Sequence, residues 1–217
     1  MKHTTIALAG ALLCAFVTPA ASAEGWYLGL SAGWSQLQDG DYSAPAIGFA
    51  GDATFGSAVR GSVSGGYKWP AGIRTELEFG YAKYDFESAT GNGAPLPATG
   101  GDISLATFLA NVAYDIPIGQ SFSFTAGGGI GAGSVRAGYS DPILAITNEG
   151  TDTSFAWQLL AGLIWSVGPK FELQLDYRYV RVGETTHDVT FQGIPAGTID
   201  YGDAVAHNVM LTARWFP

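Results

Sequence analysis

Eight segments of this chain alternate apolar and polar residues with period two: residues 26–35, 56–69, 73–86, 103–116, 121–137, 154–167, 171–181 and 205–216. After Ala23 no stretch offers the roughly 18 uninterrupted apolar residues of a spanning helix. A chain of this kind folds as a sheet with one greasy face and one polar face. In the seventh segment Leu173, Leu175, Tyr177 and Tyr179 oppose Glu172, Gln174, Asp176 and Arg178. In the third, Ile73, Leu77, Phe79 and Tyr81 oppose Arg74, Glu76, Glu78 and Gly80. The sixth is irregular, because Leu160 and Ile164 fall on the face that should be polar.

Alternation leaves the direction of the two faces open. A soluble barrel of the lipocalin kind carries the same pattern with apolar residues inside. Three features favour lipid outside. The polar faces hold small residues and a few charges of both signs, which suits a narrow interior. Each segment has the roughly 9–11 residues that a tilted strand needs to cross a bilayer. Aromatic residues stand at strand ends beside short turns: Trp69 before Pro70-Ala71-Gly72, Tyr114 and Phe122 around 115–121, Trp165 and Phe171 around Gly168-Pro169-Lys170. Trp26 and Trp215 stand near the two ends of the mature chain. In an even-stranded antiparallel barrel all seven lie at one end, as a girdle at a membrane–water interface. Charged residues make up only 13 %, less than a soluble β protein uses to cover its outer face. The expected fold is all-β: an eight-stranded antiparallel transmembrane barrel, an up-and-down meander closed so that no edge is left unpaired in lipid.

Connectors alternate in length. Those after the second, fourth and sixth segments are short. Those at 36–55, 87–102, 138–153 and 183–204 are long and rich in Gly, Pro, Asp, Thr and Ser, and they read as solvated loops. Residues 1–23 read as an export signal: Lys2, an apolar run over 6–17, then Ala21-Ser22-Ala23. Cleavage between Ala23 and Glu24 leaves one barrel domain at 24–217. Cys14 is the only cysteine and lies in the apolar run, so the mature chain has no thiol for a disulfide or a metal.

The polar faces carry Arg60, Lys68, Arg74, Glu76, Glu78, Glu172, Asp176, Arg178 and Arg214. An eight-stranded interior is barely wide enough for side chains, so these should pair as a lumen network. The network either plugs the barrel or lines an ion or solute path. Catalysis has little support, because His187 in a long loop and His207 at the last strand lack convergent partners. Two separated histidines lack metal-ligand spacing, and the loop acids Asp39, Asp41, Asp200 and Asp203 lack the spacing of a calcium loop. The run Gly127-Gly128-Gly129-Ile130-Gly131-Ala132-Gly133 admits no G-x-G-x-x-G register and no following Lys, so it reads as a bendable strand with room inside for neighbours' side chains. No cofactor is expected. With 19 Asp+Glu against 10 Lys+Arg, nucleic acid is not an expected partner.

The stretches GWYLGLSAGWS, RTELEFGYAKYDF, TAGGGIGAGSV, FAWQLLAGLIWSVGPKFELQLDYRYV and HNVMLTARWF resemble the small eight-stranded outer-membrane barrels of Gram-negative bacteria, the porin-like, opacity-protein and surface-antigen group. The resemblance implies an outer-membrane location with long loops extracellular and short turns and termini periplasmic. It implies outer-membrane lipid and the barrel-assembly machinery as partners, a host or surface ligand for the loops, and a monomer. It implies no active site. The expected role is structural and interactive, with a narrow low-conductance pore as the alternative and a lipid-modifying hydrolase third. Such barrels usually end in an aromatic residue; here Phe216 stands one place before the final Pro217.

Overall fold

A computed structural model describes residues 23–45, 48–95, 101–141, 146–191 and 194–217. Residues 1–22 of the expected signal segment and the tips of the long connectors lie outside the described residues. In chain order the strands are β1 (Gly25–Leu37), β2 (Gly40–Ala44), β3 (Phe49–Phe55), β4 (Ser57–Lys68), β5 (Ile73–Gly91), β6 (Ala94–Pro95), β7 (Gly101–Pro117), β8 (Phe122–Asp141), β9 (Ile146–Gly168), β10 (Phe171–Val182), β11 (Thr185–Phe191), β12 (Ile194–Tyr201) and β13 (Ala204–Trp215).

Eight of these close a ring by antiparallel pairing of neighbours: β1, β4, β5, β7, β8, β9, β10, β13 and back to β1. The order follows the chain, so the barrel is an up-and-down meander. Paired residues trace its stagger. From Tyr27 the path runs through Gly66, Glu76, Asn111, Gly129, Gln158, Val180 and Ala206, and it rejoins β1 at Leu37, ten residues further on. A stagger of that size with eight strands tilts the strands steeply and leaves an interior filled by side chains.

The facing follows the period-two pattern. Leu28, Leu30, Val63, Phe79, Val112, Ile130, Leu163, Leu175 and Leu211 are exposed on the outer wall, while Arg60, Arg74, Arg178 and Arg214 are buried within. An apolar wall this continuous has no place in water and belongs in hydrocarbon. Leu160 (4 % exposed) and Ile164 (0 %) break the alternation on β9 because they fill the lumen.

The long connectors differ from the solvated loops expected of them. Much of their length is strand. β2 pairs β3, β3 pairs β5, β11 pairs both β12 and β9, and β12 pairs β2. The wall therefore continues past the spanning ring as a second tier. The reason is backbone satisfaction: a hairpin beside an open strand end gains ladder hydrogen bonds that solvent-facing coil would leave to water. Thr, Val, Phe and Ile in 185–191 and 194–201 carry the β propensity for it.

Candidate functional site

Inward side chains need room in so narrow a barrel, and glycine on the adjoining strand provides it. A Cβ at Gly80 would fall 2.2 Å from Arg60 Nη2, and one at Gly129 would fall 1.7 Å from Asn111 Oδ1. The glycine run of β8 thus serves packing.

All nine charged residues expected in the lumen lie inside, and they join into one network. Toward the short-turn end, Lys68 Nζ lies 2.6 Å from Glu172 Oε1 and 3.3 Å from Asp115 Oδ2. Arg74 reaches Asp115 Oδ1 at 3.5 Å, Glu76 Oε2 at 3.6 Å and Thr125 Oγ1 at 3.2 Å. Arg214 lies 3.6 Å from Glu172 Oε2 and donates to Gln174. One layer further, Arg178 donates to Glu78 at 2.6 Å and to Asp176. Arg60 donates to Thr107 Oγ1 at 2.6 Å and lies 3.9 Å from Glu78. Glu76 accepts from Tyr27 Oη at 2.7 Å and from Asn111 Nδ2 at 3.2 Å, and Gln158 Nε2 donates to Asn111 Oδ1 at 2.9 Å.

Asp115 is the member that the sequence reading left out of the network, although it stands on the polar face of its segment. With it, five cations (Arg60, Lys68, Arg74, Arg178, Arg214) meet five carboxylates (Glu76, Glu78, Asp115, Glu172, Asp176). The interior is neutral as a set, which is the condition for burying so many charges without several kcal/mol of penalty on each unpaired ion.

Both ends of the network are closed. At the short-turn end the rings of Tyr27 and Phe216 pack with centroids 5.4 Å apart, and the Arg214 guanidinium sits 5.6 Å from the centre of the Tyr27 ring. Toward the long-loop end the lumen turns apolar: Leu37, Phe55, Tyr84, Ile103, Leu105, Leu109, Val135, Val180 and Val182 form one buried cluster. The sequence reading expected small and charged residues along the whole interior. The cluster lies behind the outer apolar wall, since Leu109, Ala82 and Ala156 alternate with exposed Phe108, Tyr81 and Phe155, so these strand segments are apolar on both faces. Beyond it, a cavity of about 920 Å³ opens among β2, β3, β11, β12 and the Asn92-Gly93 turn, with Tyr42, Thr185 and Tyr201 among its lining.

The seven aromatics expected as a girdle lie at the short-turn end on the outer wall. Trp26, Trp69, Tyr114, Phe122, Phe171 and Trp215 are exposed there, and half-buried Trp165 stacks on Phe122 at 6.3 Å. Tyr67 joins them between Trp26 and Trp69, at 5.3 and 4.6 Å. A second aromatic group stands on the outer wall toward the long loops: Trp157 against Tyr179 at 5.3 Å, and His207 against Tyr179 and Tyr177 at 5.4 and 6.0 Å. The nitrogens of His207 are engaged by the Tyr177 hydroxyl and by Gln38 Nε2 at 2.7 Å, an arrangement that orients the ring and supplies no acid–base pair. The side chain of His187 lies outside the described ones. Asp203 pairs with Arg181, Asp200 accepts from Thr186 Oγ1 at 2.8 Å, and Asp39 and Asp41 are exposed. Among the described residues no group of three His, Cys, Asp or Glu could hold a metal ion. Glu24 is exposed just before β1.

Solved structures share this architecture. Outer membrane protein OprG from Pseudomonas aeruginosa superposes with a TM-score of 0.63 at 12 % identity, over 92 % of this chain and 99 % of that one. Neisserial surface protein A gives 0.54 at 17 % identity, over 90 % and 99 %. The outer membrane protease OmpT from Escherichia coli gives 0.51 at 11 % identity, over 89 % and 97 %. At such identities the likeness is one of fold alone. No curated protein sequence matches. The family described as outer membrane protein beta-barrel domain matches residues 5–202. The chain belongs to that family, and its place is the bacterial outer membrane.

Proposed function

We propose that this protein is a non-conducting envelope barrel that holds a rigid surface above the membrane for contact with partners outside the cell. The sealed interior carries the reading. A solute would have to displace the Tyr27–Phe216 pair, break a charge-neutral network and then pass the apolar layer around Leu105 and Leu109. Each barrier alone opposes ions, because a hydrophobic constriction excludes water and a paired charge has no field left to attract a counter-ion. The second tier of strands supports the interactive half of the reading. Paired hairpins present a fixed surface with little ordering entropy left to lose on contact. That surface is anionic: residues 38–56, 87–102, 137–153 and 183–203 contain no Lys or Arg.

A narrow pore is the competing reading, and single-channel recording separates the two. Purified processed protein in a planar bilayer should give no discrete conductance steps. Reproducible unitary steps, absent from control bilayers, would establish the pore instead. The hydrolase reading draws no support from His207, whose hydrogen-bond partners are a tyrosine and a glutamine.

A further inference from the structure

Twelve of the nineteen Asp and Glu residues lie in 38–56, 87–102, 137–153 and 183–203, the stretches without Lys or Arg. With the lumen neutral as a set, the extracellular tier carries most of the uncompensated charge. The cavity among β2, β3, β11 and β12 gathers part of it. Asp41, Asp52, Glu184 and Asp200 line it, and among the described residues no Lys, Arg or His does. None of the four acids has an ion-pair partner among the described residues. Asp41 and Asp52 stand directly opposite each other on β2 and β3, a like-charge pairing that costs stability. Asp200 stands opposite Ser43, two residues along from Asp41 on the same face. Tyr42 and Tyr201 also line the cavity, with ring centroids 6.3 Å apart, and the Tyr42 hydroxyl is anchored on the Thr90 carbonyl at 2.8 Å. Thr185, opposite Tyr201, lines the same cavity at only 3 % exposure, and its hydroxyl has no hydrogen-bond partner among the described residues.

We propose that this cavity docks an arginine-rich segment of a polypeptide outside the cell. Charge complementarity names the occupant. A guanidinium pairs with carboxylates through two parallel bonds and stacks on aromatic faces, and carboxylates, rings and an unpaired hydroxyl occur together here. Small-molecule pockets are mostly apolar; a cavity of about 920 Å³ with so polar a lining suits several side chains of an extended segment. Docking also relieves the repulsion between Asp41 and Asp52. The proposal rests on the contact reading above and names the partner's chemistry.

The test titrates detergent-solubilised processed protein into fluorescent hexa-arginine and reads anisotropy. D41N/D52N should bind about tenfold more weakly than the unaltered protein, as loss of close charge pairs across an interface does. T185V should bind about fivefold more weakly, because the hydroxyl accepts from a charged donor. D85N/E87Q removes two exposed acids outside the cavity and should bind unchanged. The citrulline hexamer, the neutral counterpart, should not bind. Four results would each overturn the proposal: unchanged binding by D41N/D52N, unchanged binding by T185V, an equal loss in D85N/E87Q, which would mean bulk charge, or binding of the citrulline peptide. Displacement of the peptide by an equal concentration of spermidine would also overturn it, because the site would then serve a small amine. Asp41 and Asp52 are exposed, so heat-modifiable gel migration should remain that of a folded barrel; D41N carries the same comparison if the double variant does not fold. Discrete conductance with peptide binding intact would refute the sealed lumen and leave this site standing. A failed peptide test with no conductance would refute the site and leave the sealed barrel.

Discussion

Arg178 is the most heavily engaged residue of the lumen. It serves Glu78, Asp176 and Thr212 at once, across strands that are far apart in sequence. Replacing it with Met leaves Asp176 without its cation and Glu78 with only Arg60, at 3.9 Å, in a dry interior. Removing one partner of a buried pair costs about 3–5 kcal/mol. R178M should therefore lower the urea midpoint in lipid vesicles by a corresponding amount. The double variant D176N/R178M restores neutrality, with four cations against four carboxylates, and should recover most of the loss. If the double variant is no better than R178M, the cost is one of packing and the electrostatic account fails. On the outer wall the opposite rule holds. Leu175 is exposed to lipid between Leu163 and Leu211. L175R should cost about 2–4 kcal/mol if it sits near the midplane. An unchanged midpoint would mean that this face does not meet hydrocarbon.

At the scale of elements, the spanning strands were legible. Period two survives on seven of the eight segments because one face must meet lipid and the other a packed lumen. The structure lengthens them: β5 runs to Gly91, β7 starts at Gly101 and β9 starts at Ile146. The second tier was hidden because composition rich in Gly, Asp and Thr describes exposed hairpins as well as coil. What decides between them is pairing with a distant segment, as in Tyr42 with Tyr201 and Ala53 with Ala89. Those ladders make a prediction. Backbone amides of β2, β3 and β12 that face a paired strand should exchange with deuterium far more slowly than unstructured peptide amides, since exchange requires local opening. Exchange of the whole 38–56 segment at the unstructured rate would return it to the status of a free loop.

Across the whole molecule, the ten-residue stagger determines which side chains share a layer. It brings Lys68 of β4 to Glu172 of β10 and Arg60 of β4 to Thr107 of β7, contacts that no local pattern announces. It also stacks three different barriers along one axis. Redundancy follows: F216A should lose about 3 kcal/mol of stability by truncating a buried ring, yet still give no unitary conductance, because the apolar layer remains. Discrete conductance in F216A would assign the seal to the Tyr27–Phe216 pair alone.

The sequence by itself determined the number of strands in the ring, the two faces, the placing of the aromatics at the short-turn end and nine of the ten charged residues buried inside. Each of these follows from a local rule: alternation, turn chemistry, or the cost of an ion in hydrocarbon. The tertiary structure alone decided the partners of those charges, the inclusion of Asp115, the inward turn of Phe216, the apolar upper lumen and the folded extracellular tier. These depend on stagger and closure, which are properties of the ring of strands and belong to no single segment.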